Sequence, residues 1–233
     1  QKAQSKGLNI YAETCPQYLF LTSKDLDSKG FEGAKYICSP PPRSLNDQEQ
    51  IWLGIKTGVF QVFSSDHSPF RFDSDKGKKV EGSETKFCNV PNGVPGIETR
   101  LPLLMSKGVL DERIDIQKFV SLTSTGPAKI YGLYPRKGTI APGSDADLVI
   151  WDTKNKFTLS NSLLHHNVDY TPYEGFELNA WPKSVISRGE LIIHDGDLNA
   201  NPGRGIFLKS DLPMPARTFD KSSLLDRIEK KVF

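Results

Sequence analysis

The stretch at residues 62–70, VFSSDHSPF, constrains this chain more than any other. A short apolar, β-favouring run (Val59, Phe60, Val62, Phe63) turns polar at Ser64, Ser65, Asp66 and His67, and Pro69 forbids its continuation. A buried parallel strand ends in this way when its C-terminal tip opens into a site. An acid and an imidazole at such a tip can ligate a metal or move a proton. The same residues also suit a loop in which the aspartate caps the next turn. The flanking sequence has to separate the two.

Upstream, residues 1–7 (QKAQSKG) have the form of a helix's last turn closed by Gly7, and residues 8–14 alternate as a short strand ending at Cys15 and Pro16. Helix tail and strand make half of an α/β unit, and a chain that opens on such a tail is expected to be preceded by further polypeptide. Thr22 and Ser23 can cap a short helix through Leu26. Residues 36–39 (YICS) are another brief apolar run, stopped by Pro40, Pro41 and Pro42, which hold Ser39 on a fixed backbone. Residues 46–56 read as a helix with Asn46 as N-cap, Glu49 completing a capping box, and Ile51, Trp52 and Ile55 on one face. Strand, loop and helix repeating in one direction predict an α/β chain with a parallel sheet or barrel.

Downstream, residues 71–89 are charged and glycine-containing with few apolar positions, which predicts a mobile, lid-like loop beside the strand tip. It runs into residues 89–96 (NVPNGVPG), dense in turn-formers, where Asn92 reads as a turn residue or as a ligand contact. Helical spacing follows at residues 97–105, again at 114–122 behind Asp111 or Asp115, and in a third, short helix begun at 123–125 and ended by Gly132. At Gly138 the texture becomes β-like, with runs at 148–152, 156–159, 184–188 and 190–194 and a hairpin turn at Arg188 and Gly189. His165 and His166 are adjacent, so they point apart, and no acidic or thiol partner sits at ligand spacing; they read as a surface or interface pair. The end is proline-punctuated, then amphipathic through Leu224, Leu225 and Ile228.

Thirty Lys and Arg nearly balance 28 Asp and Glu, so composition supplies no field that would draw nucleic acid or an anionic membrane. Cys15, Cys38 and Cys88, an odd number at unrelated spacings, read as reduced thiols, and no apolar run approaches the roughly 18 residues of a membrane span. These features together predict a cytoplasmic protein.

Five motifs then add up. AETCPQYLFLT (12–22), CSPPPR (38–43), SSDHSPF (64–70), VPNGVPGIETR (90–100) and GTIAPGSDADLVIWD (138–152) occur in an order and spacing that resembles the dihydropyrimidinase and D-hydantoinase branch of the amidohydrolase superfamily. The resemblance implies an α/β fold. Residues 1–137 would be the C-terminal part of a (β/α)8 barrel, with strand seven at 8–13 and strand eight at 62–65, residues 138–198 part of a small β-sandwich, and 199–233 an arm. It implies a zinc-dependent hydrolase that opens a small cyclic ureide or imide, a dihydropyrimidine or a hydantoin. Asp66 would ligate one of two Zn2+ ions and act as general base. Ser39 and Asn92 would bind the substrate, largely through backbone atoms. The resemblance also implies a homo-oligomer, dimer or tetramer, at full length.

The family's other metal ligands, an HxH pair, a carboxylated lysine and two histidines, precede the first motif seen here, and His67, His165, His166 and His194 lie in the wrong motifs to replace them. The chain alone is therefore expected to be inactive and marginally stable. Two other readings are a non-catalytic dihydropyrimidinase-like scaffold, of a kind that typically lacks the strand-eight aspartate, and an allantoinase- or dihydroorotase-type hydrolase. The dihydroorotase form calls for an arginine clamp that has no clear candidate near Asn92.

Overall fold

The computed structural model describes residues 1–214, so the amphipathic helix expected near Leu224 lies outside the described residues. Helix α1 (Lys2–Ser5) is followed by Gly7 at a φ of +80°, a left-handed closure that suits glycine. Strand β1 (Glu13–Thr14) is much shorter than the alternation at residues 8–14 suggested. Leu8 and Ile10 are exposed, and the ladder begins only where Val62 is present to pair with Glu13.

Helix α2 (Pro16–Phe20) starts on a proline whose missing N–H costs nothing in the first turn. Helix α3 (Ser23–Leu26) opens on the capping box of Thr22 and Asp25. Helix α4 (Leu45–Lys56) begins two residues earlier than the Asn46 cap suggested. Ser44 is the N-cap: its Oγ accepts from Asp47 N at 3.3 Å, and Asp47 Oδ2 accepts from Ser44 N at 3.0 Å. Both tetrads satisfy the capping pattern, and the helix takes the one that comes first after the prolines. Trp52 and Ile55 are buried as expected.

Strand β2 (Val62–Phe63) is parallel to β1, and β3 (Val80–Ser83) is exposed along its length. Helix α5 (Arg100–Leu104) continues as a π turn over Met105–Leu110. Helix α6 (Ile116–Val120), capped by Asp115, runs through a second π turn (Ser121–Thr125) into α7 (Gly126–Ile130). The second and third helices expected from sequence are thus one rod. Its wider π turn lies just before Pro127, which would otherwise interrupt a regular helix.

Strands β4 (Leu148–Asp152), β5 (Phe157–Thr158), β6 (Glu177–Leu178), β7 (Trp181–Ser187), β8 (Glu190–His194) and β9 (Asp197–Leu198) follow. An antiparallel sheet has the order β4-β7-β8-β9, and β5 pairs with β6. The β7–β8 hairpin turns on Arg188 and Gly189 with φ of +51° and +82°, the pair of positive values that a type I′ turn requires.

The main core joins Leu19, Trp52, Phe63, Leu104, Phe119 and Leu122, so α2, α4, α5 and α6 close around β2. A second cluster packs Leu21 and Leu103 against Leu159, Tyr173 and Leu178 from the β5–β6 region. A third gathers Ile37, Phe72, Val90 and Tyr170. Through this third cluster, residues 71–89 are fastened more firmly than their composition suggested. Phe72 is buried, and the Phe72 and Asp73 amides donate to the Asp169 carboxylate at 2.7 and 2.9 Å. No helix among the described residues is long and apolar enough to cross a membrane.

Candidate active site

The parallel pair β1–β2 ends at one edge. Ser64 N donates to Thr14 O at 3.0 Å, and beyond the ladder Cys15 Sγ lies 3.1 Å from Ser64 Oγ. Phe63, fully enclosed beneath this edge, anchors it, and the half-buried Arg100 donates to the Phe63 carbonyl at 2.5 Å. The next turn brings Asp66 to the surface at a φ of +46°, a left-handed conformation unusual for a residue with a side chain. Strain of this kind at the tip of a strand is characteristic of functional sites.

Among the described residues the carboxylate meets one protein donor. Gln17, from the first turn of α2 and wholly inaccessible to solvent, gives its Nε2–H to Asp66 Oδ2 at 3.4 Å. Its own Oε1 is buried without a partner among the described residues. The next residue, His67, accepts at Nδ1 from the Gly96 and Ile97 amides at 3.0 and 3.3 Å. That arrangement leaves the hydrogen of the neutral ring on Nε2. Burial holds the His67 pKa below the ordinary imidazole value.

Backbone contacts then draw the other two turns to the same rim. His67 bridges Val94 in parallel fashion, and Ser68 N donates to Val94 O at 3.2 Å. Gly93, with a φ of +141°, lies so close that a Cβ there would sit 2.3 Å from Ser68 O. Gly93 N in turn donates to Ile37 O at 3.0 Å, two residues before Ser39. Ser39 and Asn92 are both exposed. The three residues singled out from sequence therefore stand on neighbouring loops joined through Val94 and Ile37.

The surroundings are poor in ionised ligands. Burial pushes the Cys15 and Cys38 thiols up to about 11, with the charge of Asp66 acting in the same direction. Both are protonated at neutral pH. Desolvation also raises the Tyr18 phenol, which stays neutral. Among the described residues no group of three or more His, Cys, Asp or Glu side chains can hold a metal ion. Asp66 offers one carboxylate and His67 Nδ1 is occupied, whereas a catalytic zinc takes about three protein ligands. By themselves these residues do not fit the zinc pair that the family resemblance implies.

Sequence reasoning overlooked three side chains. Gln17 and Lys78 sit inside motifs or loops whose chemistry was read elsewhere. Glu98 is the acidic partner that His165 lacked in the sequence reading: His165 Nδ1 lies 2.8 Å from Glu98 Oε1, and Glu98 Oε2 accepts from His165 N at 2.7 Å. His166 turns the other way, to Asn161 Oδ1 at 2.7 Å. Both histidines line an open cavity of about 430 Å3 with His67 and Glu98.

The Amidohydrolase family model matches residues 35–192, and the chain belongs to that family. Within it, the chain is 42% identical over 208 residues to a D-hydantoinase of Rhizobium radiobacter, covering 89% of this chain and 44% of that one. The crystal structure of D-hydantoinase from Bacillus sp. AR9 superposes with a TM-score of 0.86 at 45% identity, over 91% of this chain and 46% of the other. The dihydropyrimidinase from Brevibacillus agri NCHU1002 does so with 0.80 at 44%, over 85% and 42%. The chain thus spans less than half the length of these three relatives.

Proposed function

We propose that this chain is part of a cyclic-amide hydrolase, one that opens a dihydropyrimidine or hydantoin ring, with Asp66 as its proton-handling carboxylate. The observation that supports the reading is that backbone bonds link three loops distant in sequence, from His67 and Ser68 beside Asp66, through Val94 and Gly93 beside Asn92, to Ile37 two residues before Ser39. In this scheme, backbone groups of those two turns hold the donor–acceptor edge of the ureide. Water adds to the ring carbonyl carbon while Asp66 takes its proton. The ring C–N bond then breaks, the same proton passes to the departing nitrogen, and a carboxylic acid and a ureido N–H remain.

Gln17 suits the part of holding one Asp66 oxygen while leaving the other to work. The fold belonging to this proposal is a segment of a (β/α)8 barrel, supported by the parallel β1–β2 pair and by the D-hydantoinase superpositions, with part of a β-sandwich after it. If Asp66 also ligates zinc, the other ligands come from polypeptide outside the described residues. Assembly as a homo-oligomer belongs to the same proposal.

The test is hydrolysis of dihydrouracil and hydantoin by the protein that carries this sequence at full length. Asp66→Asn is expected to lower kcat/KM by at least about a thousandfold, whereas Asp75→Asn, on the exposed loop, leaves it unchanged. Turnover that survives Asp66→Asn removes Asp66 from the chemistry. The chain of 233 residues by itself is expected to bind less than one zinc and to turn over neither substrate.

A further inference from the structure

Among the described residues, Lys78 is the one lysine, arginine, aspartate or glutamate that is buried, and its exposure is 0%. Burying an ammonium is costly unless its hydrogens are all engaged, and a carboxylate is the usual partner. Lys78 has none within ion-pair distance among the described residues. It donates instead to two main-chain carbonyls, Pro91 O at 2.9 Å and Ile37 O at 3.3 Å, and lies 6.0 Å from the Phe70 ring centre.

Those two carbonyls are placed with consequence. Pro91 immediately precedes Asn92, and Ile37 stands two residues before Ser39. One ammonium therefore ties together the backbones of the two turns that frame Asp66. The loop that delivers it is shaped for the purpose: Lys78 N donates to Arg71 O at 2.8 Å, and a Cβ on Gly77 would sit 2.0 Å from that same oxygen. The chain can cinch there only around a glycine. Gly93 N, bonded to the shared Ile37 oxygen, completes the cross-link.

We propose that Lys78 is the positioning residue of the substrate-binding rim, setting the separation and orientation of the main-chain groups that the Ser39 and Asn92 turns present to the cyclic amide. The inference rests on the function proposed above and deepens it. It gives the exposed loop of residues 71–89 a part in substrate binding, through one inward-pointing side chain.

The experiment compares the wild-type full-length protein with Lys78→Met, which keeps an unbranched chain as far as Cε and removes the donors, and with Lys78→Arg, which keeps donors. Hydrolysis of dihydrouracil and amide hydrogen exchange at Gly93 are read in each. The expected result for Lys78→Met is a KM at least tenfold higher, kcat within about threefold of wild type, and Gly93 exchange at least tenfold faster, with part of the KM recovered in Lys78→Arg. Unchanged KM and unchanged exchange overturn the inference, as does a fall in kcat at constant KM. Should Lys78→Met fail to fold, Lys78→Gln is read by the same two measurements. If the wild-type protein hydrolyses no cyclic amide, the functional reading falls, and Lys78 is then judged on Gly93 exchange alone.

Discussion

The rim around Asp66 and the sheet β4-β7-β8-β9 are built on opposite principles. The rim has hardly any regular structure, two paired strands of two residues each, yet Phe63, Gln17 and Lys78 beneath it are wholly enclosed. The sheet has the longest ladders in the described residues, yet its strands bury Ser184 alone and leave Val149, Ile150, Leu191 and Leu198 exposed. Ladder hydrogen bonds replace bonds to water and add little net stability each, whereas an enclosed aromatic side chain contributes several times more. Order along the backbone and depth of burial are thus separate properties here, and the irregular region is the deeper one.

The sharpest way to break that comparison is at Phe63. Phe63→Ala empties a site in the main core directly under the strand edge that presents Asp66, and an enlarged cavity among Leu19, Trp52 and Leu122 has little means of collapsing. A loss of about 3–5 kcal/mol is expected from urea midpoints at constant m-value. A loss under about 1 kcal/mol would mean that the rim does not depend on the core beneath it.

The second prediction concerns charge under the same rim. Desolvation lowers the Lys78 pKa from 10.5 to about 8. Between those values the unfolded chain binds the proton that the folded chain has released, so this contribution to stability grows as pH rises and is lost as pH falls through about 8. The whole shift corresponds to about 3 kcal/mol. Cys15 and Cys38, raised from 9.0 to about 11, act in the opposite sense: their contribution is present below 9.0 and lost as pH climbs toward 11. The raw curve mixes the two, so Lys78→Met is the measurement that separates them. Relative to that variant, the wild type should gain about 3 kcal/mol between roughly pH 7 and pH 11. Parallel curves would show that the bonds to Pro91 O and Ile37 O offset the desolvation, or that the lysine is not buried in solution.

What the chain revealed beforehand follows the same division. The strand tip, the proline-fixed Ser39, the Asn92 turn and the β7–β8 hairpin were legible because prolines, glycines and an abrupt change of polarity act locally. The links that assemble them were not. Gln17 reaches Asp66 across 49 residues, Lys78 reaches Ile37 across 41, and Glu98 reaches His165 across 67. Nothing periodic marks such pairs. Local rules also failed where two solutions were equally good, as with Ser44 and Asn46 for the start of α4, or where a tertiary partner decides, as with Val62 limiting β1 to its last two residues. The buried lysine was the least legible feature, because composition placed it in a solvated, charged loop.

The smallest expected effect tests the other half of the comparison. Ile150 lies mid-strand in β4 and is 53% exposed, so Ile150→Thr gives up little enclosed apolar area and keeps a β-branched side chain in the ladder. Stability should change by less than about 0.5 kcal/mol, and the pH dependence should run parallel to that of the wild type. The outcome separates two ways of leaving Ile150 uncovered. A negligible effect means that the ladder holds without an apolar partner. A loss of about 2 kcal/mol or more, growing with protein concentration, would mean that another surface covers this face in solution and that the sheet's openness is a property of the isolated chain.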